Sequence, residues 1–119
     1  LLLTWNSADL QREADVRPGF GSDSRRVFVT SSTDDGVTWA PPREITADVK
    51  QPGWSWYATG PGAGVQLSRG PHRGRLVIPC DHKEPLPDGM QYRSHVIYSD
   101  DHGATWLLGG STGDGANEC

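Results

Sequence analysis

Apolar and polar residues alternate along four short stretches of this chain, and turn-forming residues separate the stretches. Side chains at successive positions of a β-strand point to opposite faces, so alternation with a period of two predicts strands. The segment Ala8 to Pro18 is charged and mixed, and it has room for one short helical turn before Pro18-Gly19 ends it. No segment keeps a 3.6-residue period over three turns. The predicted strands are Arg26 to Ser31, Gly64 to Leu67, Arg75 to Pro79 and Ser94 to Ser99.

The composition agrees with an all-β protein and limits its partners. The 15 glycines, 9 prolines and 5 tryptophans among 119 residues indicate many tight turns and large aromatic side chains in the core. A formal net charge of −4 gives no basic surface for a nucleic-acid partner, so none is expected. No apolar run approaches the roughly 20 residues that span a bilayer, and association with a membrane is left open.

The strongest feature of the chain is an internal repeat of eight residues. Ser32 to Trp39 and Ser99 to Trp106 align without a gap, and both read S-x-D-x-G-x-T-W after an alternating strand. Such an octet suits a tight hairpin: Ser and Asp accept hydrogen bonds from turn N–H groups, Gly takes a positive φ, and Trp anchors the outgoing strand. The repeat therefore predicts a structural turn at two places.

The carboxylates of the octets also allow a metal-binding interpretation, because carboxylate and imidazole groups are metal ligands. Asp34-Asp35 and Asp100-Asp101-His102 are the residues concerned. In each octet a glycine follows two residues after the Asp at the third position, and Asp35 of the first octet aligns with His102 of the second. Both observations favour the turn. We therefore expect no metal and no cofactor.

The cysteines and the ends of the chain carry little chemistry. Cys80 and Cys119 lack the spacing of a metal site, and we interpret both as buried thiols while leaving their disulfide state open. The chain starts at Leu1 without an initiator methionine and stops within a polar stretch, which favours a piece truncated at both ends.

At the octets the chain resembles the Asp-box, or BNR, repeat of sialidase propellers. Three further segments resemble exo-α-sialidases in the same order: Ala58 to Leu67 is similar to their GPGxGxQL stretch, Gly74 to Pro79 to their GRLVxP strand, and Asn117 to Cys119 to the start of their NECQVVEL segment. The resemblance extends from about Val27 onward. The glycine cluster has Val65 where a dinucleotide-binding loop needs its third glycine, so nucleotide binding is not expected.

The resemblance implies an architecture. Residues 1–119 would form part of one sialidase domain, about two to three blades of a six-bladed β-propeller, with the Asp boxes at 32–39 and 99–106. The active site would lie at the mouth of the propeller, on the side opposite the Asp boxes. The positions with an implied structural role in the boxes are Ser32, Asp34, Gly36, Trp39, Ser99, Asp101, Gly103 and Trp106.

The resemblance also implies an activity, the removal of terminal α-linked sialic acids from glycans by a retaining mechanism. Sialidases use a tyrosine as nucleophile, and the family glutamate that activates it matches Glu118. The family also uses an arginine triad and an aspartic acid as acid/base. These groups and the nucleophile fall before or after the matched region, so Tyr57, Tyr92 and Tyr98 receive no catalytic role.

Four residues are candidates for substrate contact: Trp56, Tyr57, Asp81 and His82. Trp54 and Trp56 flank one serine, so in a strand both rings would lie on one face, where they could stack on a sugar. Asp81 and His82 follow a predicted strand end, where a loop could reach the mouth. The alternatives are that the aromatic residues belong to the core and that the loop pair is inert.

The partners and the compartment follow from the resemblance alone. Sialylated glycans on glycoproteins, oligosaccharides or gangliosides would be the substrates, and a secreted, periplasmic or lysosomal location is favoured. Two other functions stay open. One is an inactive Asp-box propeller that binds carbohydrate or protein, and the other is a different propeller glycosidase with two facing carboxylates.

Overall fold

The computed structural model describes residues 2–7, 12–60, 62–113 and 115–117, with the backbone alone for residues 2–7. The described chain is all-β, with two antiparallel sheets and two short helical turns. The predicted fold class is thus confirmed at the level of the sheets.

The first sheet has three strands in the order β1-β2-β3. They are β1 (Leu2–Ser7), β2 (Arg26–Ser31) and β3 (Arg43–Glu44). The central strand β2 has the predicted bounds, and its alternation buries Val27 and Val29 on one face.

The second sheet has five strands. Four of them run in the order β4 (Tyr57–Thr59), β6 (Leu76–Leu86), β7 (Gly89–Ser99) and β8 (Leu107–Ser111), and β5 (Val65–Gln66) pairs with the first residues of β6. The strands predicted at 75–79 and 94–99 correspond to the first part of β6 and the last part of β7. The remaining parts of β6 and β7 stay paired up to a tight turn at Pro87-Asp88. Pattern analysis missed these extensions.

A bulge in β8 explains one pair of glycines. The register of β7 against β8 shifts between His95 and Ile97, opposite Gly109-Gly110. A Cβ added at Gly109 would lie 2.8 Å from Cγ2 of Val96 and 3.0 Å from its carbonyl oxygen. The close approach of the two strands therefore requires glycine here.

The helical content is small. A 3₁₀ turn at Glu13–Asp15 lies within the segment where one helical turn was expected, and α1 (Thr46–Val49) was not predicted. No helix in the described part of the chain is long and apolar enough to span a membrane.

The hydrophobic core lies between the two sheets. It joins residues of β2 and α1 to one face of the second sheet, which we call its inner face. Cys80 is buried there, as expected for its thiol. The core residues are Val27, Val29, Ile45, Val49, Trp54, Tyr57, Cys80, Ile97 and Trp106.

Both octets form the predicted hairpin turn with the same hydrogen bonds. In the first, Oγ of Ser32 accepts the Gly36 N–H at 2.8 Å, and Oδ1 of Asp34 accepts the Thr38 N–H at 2.9 Å. The indole N–H of Trp39 donates to the Gly36 carbonyl at 3.1 Å. The second octet, which joins β7 to β8, repeats each bond within 0.1 Å. The expectation of a structural turn is confirmed.

The two octets differ in the burial of their tryptophans. Trp106 is 1% exposed and belongs to the core, whereas Trp39 is 42% exposed. The first octet therefore does not bury its anchor among the described residues. The difference arises because Trp106 lies between the two sheets, while Trp39 lies outside the shared core.

The octets define two sides of the molecule. Arg43 of β3 donates to the carbonyls of Gly103 and Ala104 at 2.9 and 2.8 Å. Both turns therefore lie at the same ends of the strands, and we call this end of the molecule the box edge. The other ends of the strands, at Arg26, Leu86 and Gly89, form what we call the distal edge.

Candidate functional site

The four residues predicted to contact substrate lie in β4 and β6 or beside them, but on two faces of the second sheet. Tyr57 and His82 are a cross-strand pair on the inner face, and both are 0% exposed. Trp56 and Asp81 lie on the opposite face, because Asp81 alternates with His82 along β6. The structure thus brings Tyr57 together with His82, and Trp56 together with Asp81. Contact with a substrate stays a prediction for each of the four.

The expectation that Trp54 and Trp56 share one face is wrong. The Trp54 ring stacks on His82 at the inner face, with 3.4 Å between ring centroids, whereas the Trp56 indole donates to Asp81 on the other face. The reason is local: β4 begins only at Tyr57, and Trp54 ends a turn closed by its N–H bond to the Gln51 carbonyl at 3.1 Å. A period of two does not hold across such a turn.

Trp56 is the centre of a small polar cluster that also includes Arg25. Its indole N–H donates to Oδ2 of Asp81 at 3.1 Å, and Asp81 is only 3% exposed. The guanidinium carbon of Arg25 lies 4.4 Å from the centroid of the Trp56 ring. Cation–π contact of this kind contributes about 0.5–2 kcal/mol. One ring face of Trp56 is therefore occupied by Arg25 and does not present itself for stacking on a sugar.

His82 belongs to a buried chain of hydrogen bonds on the inner face. Its Nδ1 lies 2.9 Å from Nδ1 of His95, and Nε2 of His95 lies 3.0 Å from the Tyr57 hydroxyl. That hydroxyl donates to the Val49 carbonyl at 3.3 Å. Because a carbonyl only accepts, the Tyr57 oxygen accepts from His95, and Nδ1 of His95 then accepts from His82. The bonds thereby fix the tautomers of both rings.

Burial keeps this chain neutral. It lowers the pKa of His82 to about 4 and that of His95 to about 3, and it raises the pKa of Tyr57 well above its ordinary value. Nε2 of His82 lies 3.7 Å from the carboxylate of Glu84, which acts in the opposite direction on the His82 pKa. Tyr57 is thus held as a phenol in the interior.

A second cluster at the distal edge was missed by sequence analysis. Glu13 accepts hydrogen bonds from Nζ of Lys83, at 3.0 Å, and from the Tyr92 hydroxyl. The bond from Tyr92 lowers the pKa of Glu13, and burial raises that of Tyr92. The partners are 70 and 79 residues apart in the chain, so no local pattern could have brought them together.

Glu118, the predicted base, lies outside the described residues, as does Cys119. The chain before it is described: β8 ends at Ser111, and the Thr112 N–H donates to the Ser94 carbonyl at 2.8 Å. Ser94 pairs with Asp81 across the sheet. Thr112 therefore lies at the end of β8 away from the box edge, and β7 separates it from Asp81.

Metal ligands are not grouped in the part of the chain that the structure describes. Among the described residues, no group of three or more His, Cys, Asp or Glu side chains could hold a metal ion. The Asp34 carboxylate instead accepts from the Thr38 N–H and hydroxyl, and the hydrogen bonds from Thr38 lower its pKa to about 2. The octet carboxylates thus act as turn acceptors.

Comparison with known proteins gives a consistent family. A family model described as a BNR repeat-like domain matches residues 5–119. The chain is 38% identical over 109 residues to the sialidase of Micromonospora viridifaciens, covering 88% of this chain and 16% of that protein. It is 34% identical over 105 residues to human Sialidase-4, covering 80% of this chain and 21% of that protein.

A solved structure, the Hadza microbial sialidase Hz136, superposes on this chain with a TM-score of 0.77 and 28% identity, covering 95% of this chain and 21% of that one. The chain thus spans about a fifth, or less, of the length of the relatives that it matches. It belongs to the BNR repeat-like domain family, and the proteins to which it is similar are sialidases.

Proposed function

We propose that this chain is part of an exo-α-sialidase that hydrolyses terminal α-linked sialic acids. The observation that carries the proposal is the similarity to named sialidases over 80% and 88% of the chain, at 34% and 38% identity. The two octets add structural support, because both form the same turn at the same edge.

The proposal includes a six-bladed propeller, of which residues 1–119 form about two to three blades. Its support is the pair of packed sheets, each with an octet turn after its second-to-last described strand. In such a ring the substrate would bind at the distal edge, opposite the boxes. Trp56 and Asp81 lie on one face of the second sheet, and β8, the last described strand before Glu118, ends toward the distal edge.

The chemistry explains why a tyrosine and a glutamate would work together. Sialic acid carries its carboxylate on the anomeric carbon, so a carboxylate nucleophile would approach against like charge, and a phenol avoids this repulsion. A phenol has a pKa near 10 and needs a base to attack near neutral pH. Glu118 would accept the phenol proton during attack and return it when the intermediate breaks down.

The resemblance places the nucleophile outside residues 1–119, and the three tyrosines of this chain make other contacts. Tyr57 is buried between the sheets and bonded to His95, so a substrate does not reach it. The Tyr92 hydroxyl donates to Glu13, a residue that the resemblance does not match to the family's base. Tyr98 has the Arg75 guanidinium 4.2 Å from its ring centroid. The nucleophile would therefore come from outside residues 1–119, as would the arginines that clamp the carboxylate.

The test is Glu118→Gln in the whole protein that contains this chain. Glutamine keeps the shape of glutamate but is not an effective base, so we expect kcat to fall by at least about 10²-fold. Hydrolysis of a fluorogenic sialoside measures the rate, and thermal unfolding checks that the variant is folded.

Glu44→Gln is the matched control, because it makes the same change at a glutamate of β3 that has no proposed role in catalysis. The Glu44 side chain is 41% exposed and accepts a hydrogen bond from Thr46 of α1. This variant should keep the wild-type rate. Near-normal turnover by folded Glu118→Gln would reject the base. A wild-type protein that binds sialosides without cleaving them would instead support the alternative, an inactive propeller acting as a binding module.

A further inference from the structure

The loop of residues 17–25 approaches the Trp56 cluster without any regular secondary structure of its own. It lies between the 3₁₀ turn and β2, and it closes on itself through three hydrogen bonds. The Arg17 N–H donates to the Asp23 carbonyl at 2.7 Å, and the Ser24 N–H to the Gly21 carbonyl at 3.0 Å. The Ser24 hydroxyl donates to the Gly19 carbonyl at 2.6 Å. These bonds shape the loop but do not fix it to the sheets.

Lys50 fixes this loop to the rest of the molecule. Its Nζ donates to the carbonyls of Gly19, at 2.9 Å, and Arg25, at 3.0 Å, and to the Ser24 hydroxyl. A fourth contact, at 3.4 Å, reaches the carbonyl of Ser55, next to Trp56. Among the described residues, every hydrogen bond that joins the loop to another part of the chain ends on this ammonium group.

The environment of Lys50 is unusual for a lysine. The side chain is 4% exposed, and its partners are carbonyl and hydroxyl oxygens, with no ion pair to a carboxylate among the described residues. Burying an ammonium group without a counter-charge costs free energy that an apolar side chain would not. Burial lowers its pKa to about 8, so at neutral pH the amine keeps its proton and all three donors. The buried ammonium group of Lys50 is explained if its hydrogen bonds to loop 17–25, which we call the tether, are needed.

The tether determines where the Arg25 side chain lies. Arg25 is the last loop residue, and its backbone carbonyl is held by Lys50 while its guanidinium lies over Trp56. Nε of Arg25 is buried and has no hydrogen-bond partner in the described part of the chain. The charge of Arg25 also helps to lower the pKa of Glu13, but the two side chains form no salt bridge. Among the described residues, the position of this guanidinium therefore depends mainly on the backbone of the loop and on the Trp56 ring.

We propose that Lys50 is a positioning residue, whose ammonium group fixes the 17–25 loop so that Arg25 stays on Trp56 where an acidic sugar substrate binds. The inference rests on the proposed function for the presence of that substrate. It adds that Arg25, a half-buried cation on the Trp56 ring, contacts the bound sialoside. Loss of the tether should then weaken substrate binding more than the chemical step.

Lys50→Met in the whole protein tests the proposal, because methionine keeps much of the side-chain volume without the donors. We expect KM to rise about tenfold with kcat changed less than about threefold, the pattern of a lost binding contact. Hydrogen exchange of the loop amides, including those of Arg17 and Ser24, should become faster. Exchange at the two octets should stay as in the wild type.

Two further variants separate anchoring from a general loss of folding. Lys50→Arg keeps a cation with several donors and should recover part of the KM change. Ser24→Ala removes one partner of the ammonium and should give an intermediate KM even if Lys50→Met does not fold. Arg73→Met changes an exposed cation in the turn before β6 and is the matched control, with wild-type kinetics and exchange.

The outcomes are distinct. Unchanged loop exchange in Lys50→Met and Ser24→Ala would overturn the tether, and a loosened loop with unchanged KM would overturn its role in binding. A fall in kcat alone would also contradict the proposal. A wild-type protein without turnover would reject the proposed function, whereas the exchange data would still decide whether Lys50 anchors the loop.

Discussion

At the scale of single residues, the inner face of the second sheet shows how burial selects a protonation state. His82 and His95 are 0% and 2% exposed, and they share one hydrogen bond at 2.9 Å between their Nδ1 atoms. Two imidazolium rings could not make this bond, because both nitrogens would then be donors. The arrangement therefore requires at least one neutral ring, and burial favours two.

The stability of the protein should therefore depend on pH. The pKa of His82 is lowered to about 4 and that of His95 to about 3, so between these values and the ordinary pKa of about 6.5 the unfolded chain binds more protons. The contribution of the two neutral rings to the free energy of unfolding is fully present above about pH 6.5. It is lost progressively as the pH falls through the folded-state values of about 4 and about 3. We expect a loss of about 1–2 kcal/mol for each histidine at pH 5.

Denaturant unfolding of the whole protein between pH 7.5 and pH 5 measures this loss. The double variant His82→Gln with His95→Gln should be less stable at pH 7.5 but should show a weaker dependence on pH. His72→Gln, at an exposed position, should keep the wild-type dependence. An unaltered slope in the double variant would contradict the prediction.

At the scale of elements, the octet turns are built from short-range hydrogen bonds. Each bond joins residues two to four positions apart, and the residues before the glycines, Asp35 and His102, have φ of 55° and 58°. Gly36 and Gly103 follow at 87° and 90°, where a side chain would be strained. The octet sequence thus specifies its own turn, whichever sheet carries it.

The tryptophans of the two octets should differ in their contribution to stability. Trp106→Ala removes a ring that is 1% exposed, and a large-to-small change in a core costs about 3–5 kcal/mol. Trp39→Ala removes a ring that is 42% exposed and should cost clearly less. Denaturant unfolding of both variants in the whole protein checks this difference. Equal losses would mean that another part of the protein covers Trp39.

At the scale of the molecule, the two sheets are joined at both edges. Arg43 reaches the second octet at the box edge, while Lys50 joins loop 17–25 to the segment at Ser55. Between these contacts lies one core shared by both sheets. The arrangement matches a sialidase structure over 95% of the chain, yet that structure is about five times longer than this match, since the chain covers 21% of it.

The isolated 119 residues should therefore show no sialidase turnover. By the proposed function, the nucleophile and the arginine clamp would lie outside them, and open sheet faces and edges would need the complete ring as cover. We also expect a lower unfolding temperature than for the whole protein. Release of a fluorogenic sialoside measures the activity, with the whole protein as control. Turnover by the isolated chain would refute the propeller and the placement of the nucleophile.

The residues that could be predicted are those whose structure is local. Strand β2 was predicted with its observed bounds, and both octets adopt the expected turn. The extension of β6 was missed because Cys80, Asp81 and His82 are all buried, so the sheet is covered on both faces and the alternation disappears. For the candidate site, the residues Trp56 and Asp81 were named, but their bond to each other and the contact of Arg25 with Trp56 were not.

The sequence by itself determined the class of fold, the two turns and the resemblance to sialidases. The turn bonds join residues at most four positions apart, and the order of the short motifs can be read directly from the sequence. Only the tertiary structure decided that Trp54 and Trp56 lie on opposite faces and that Lys50 holds loop 17–25. Lys50 lies 25 to 31 residues from its loop partners. A lysine in sequence looks like any exposed cation, and its role depends on oxygens that only folding brings around it.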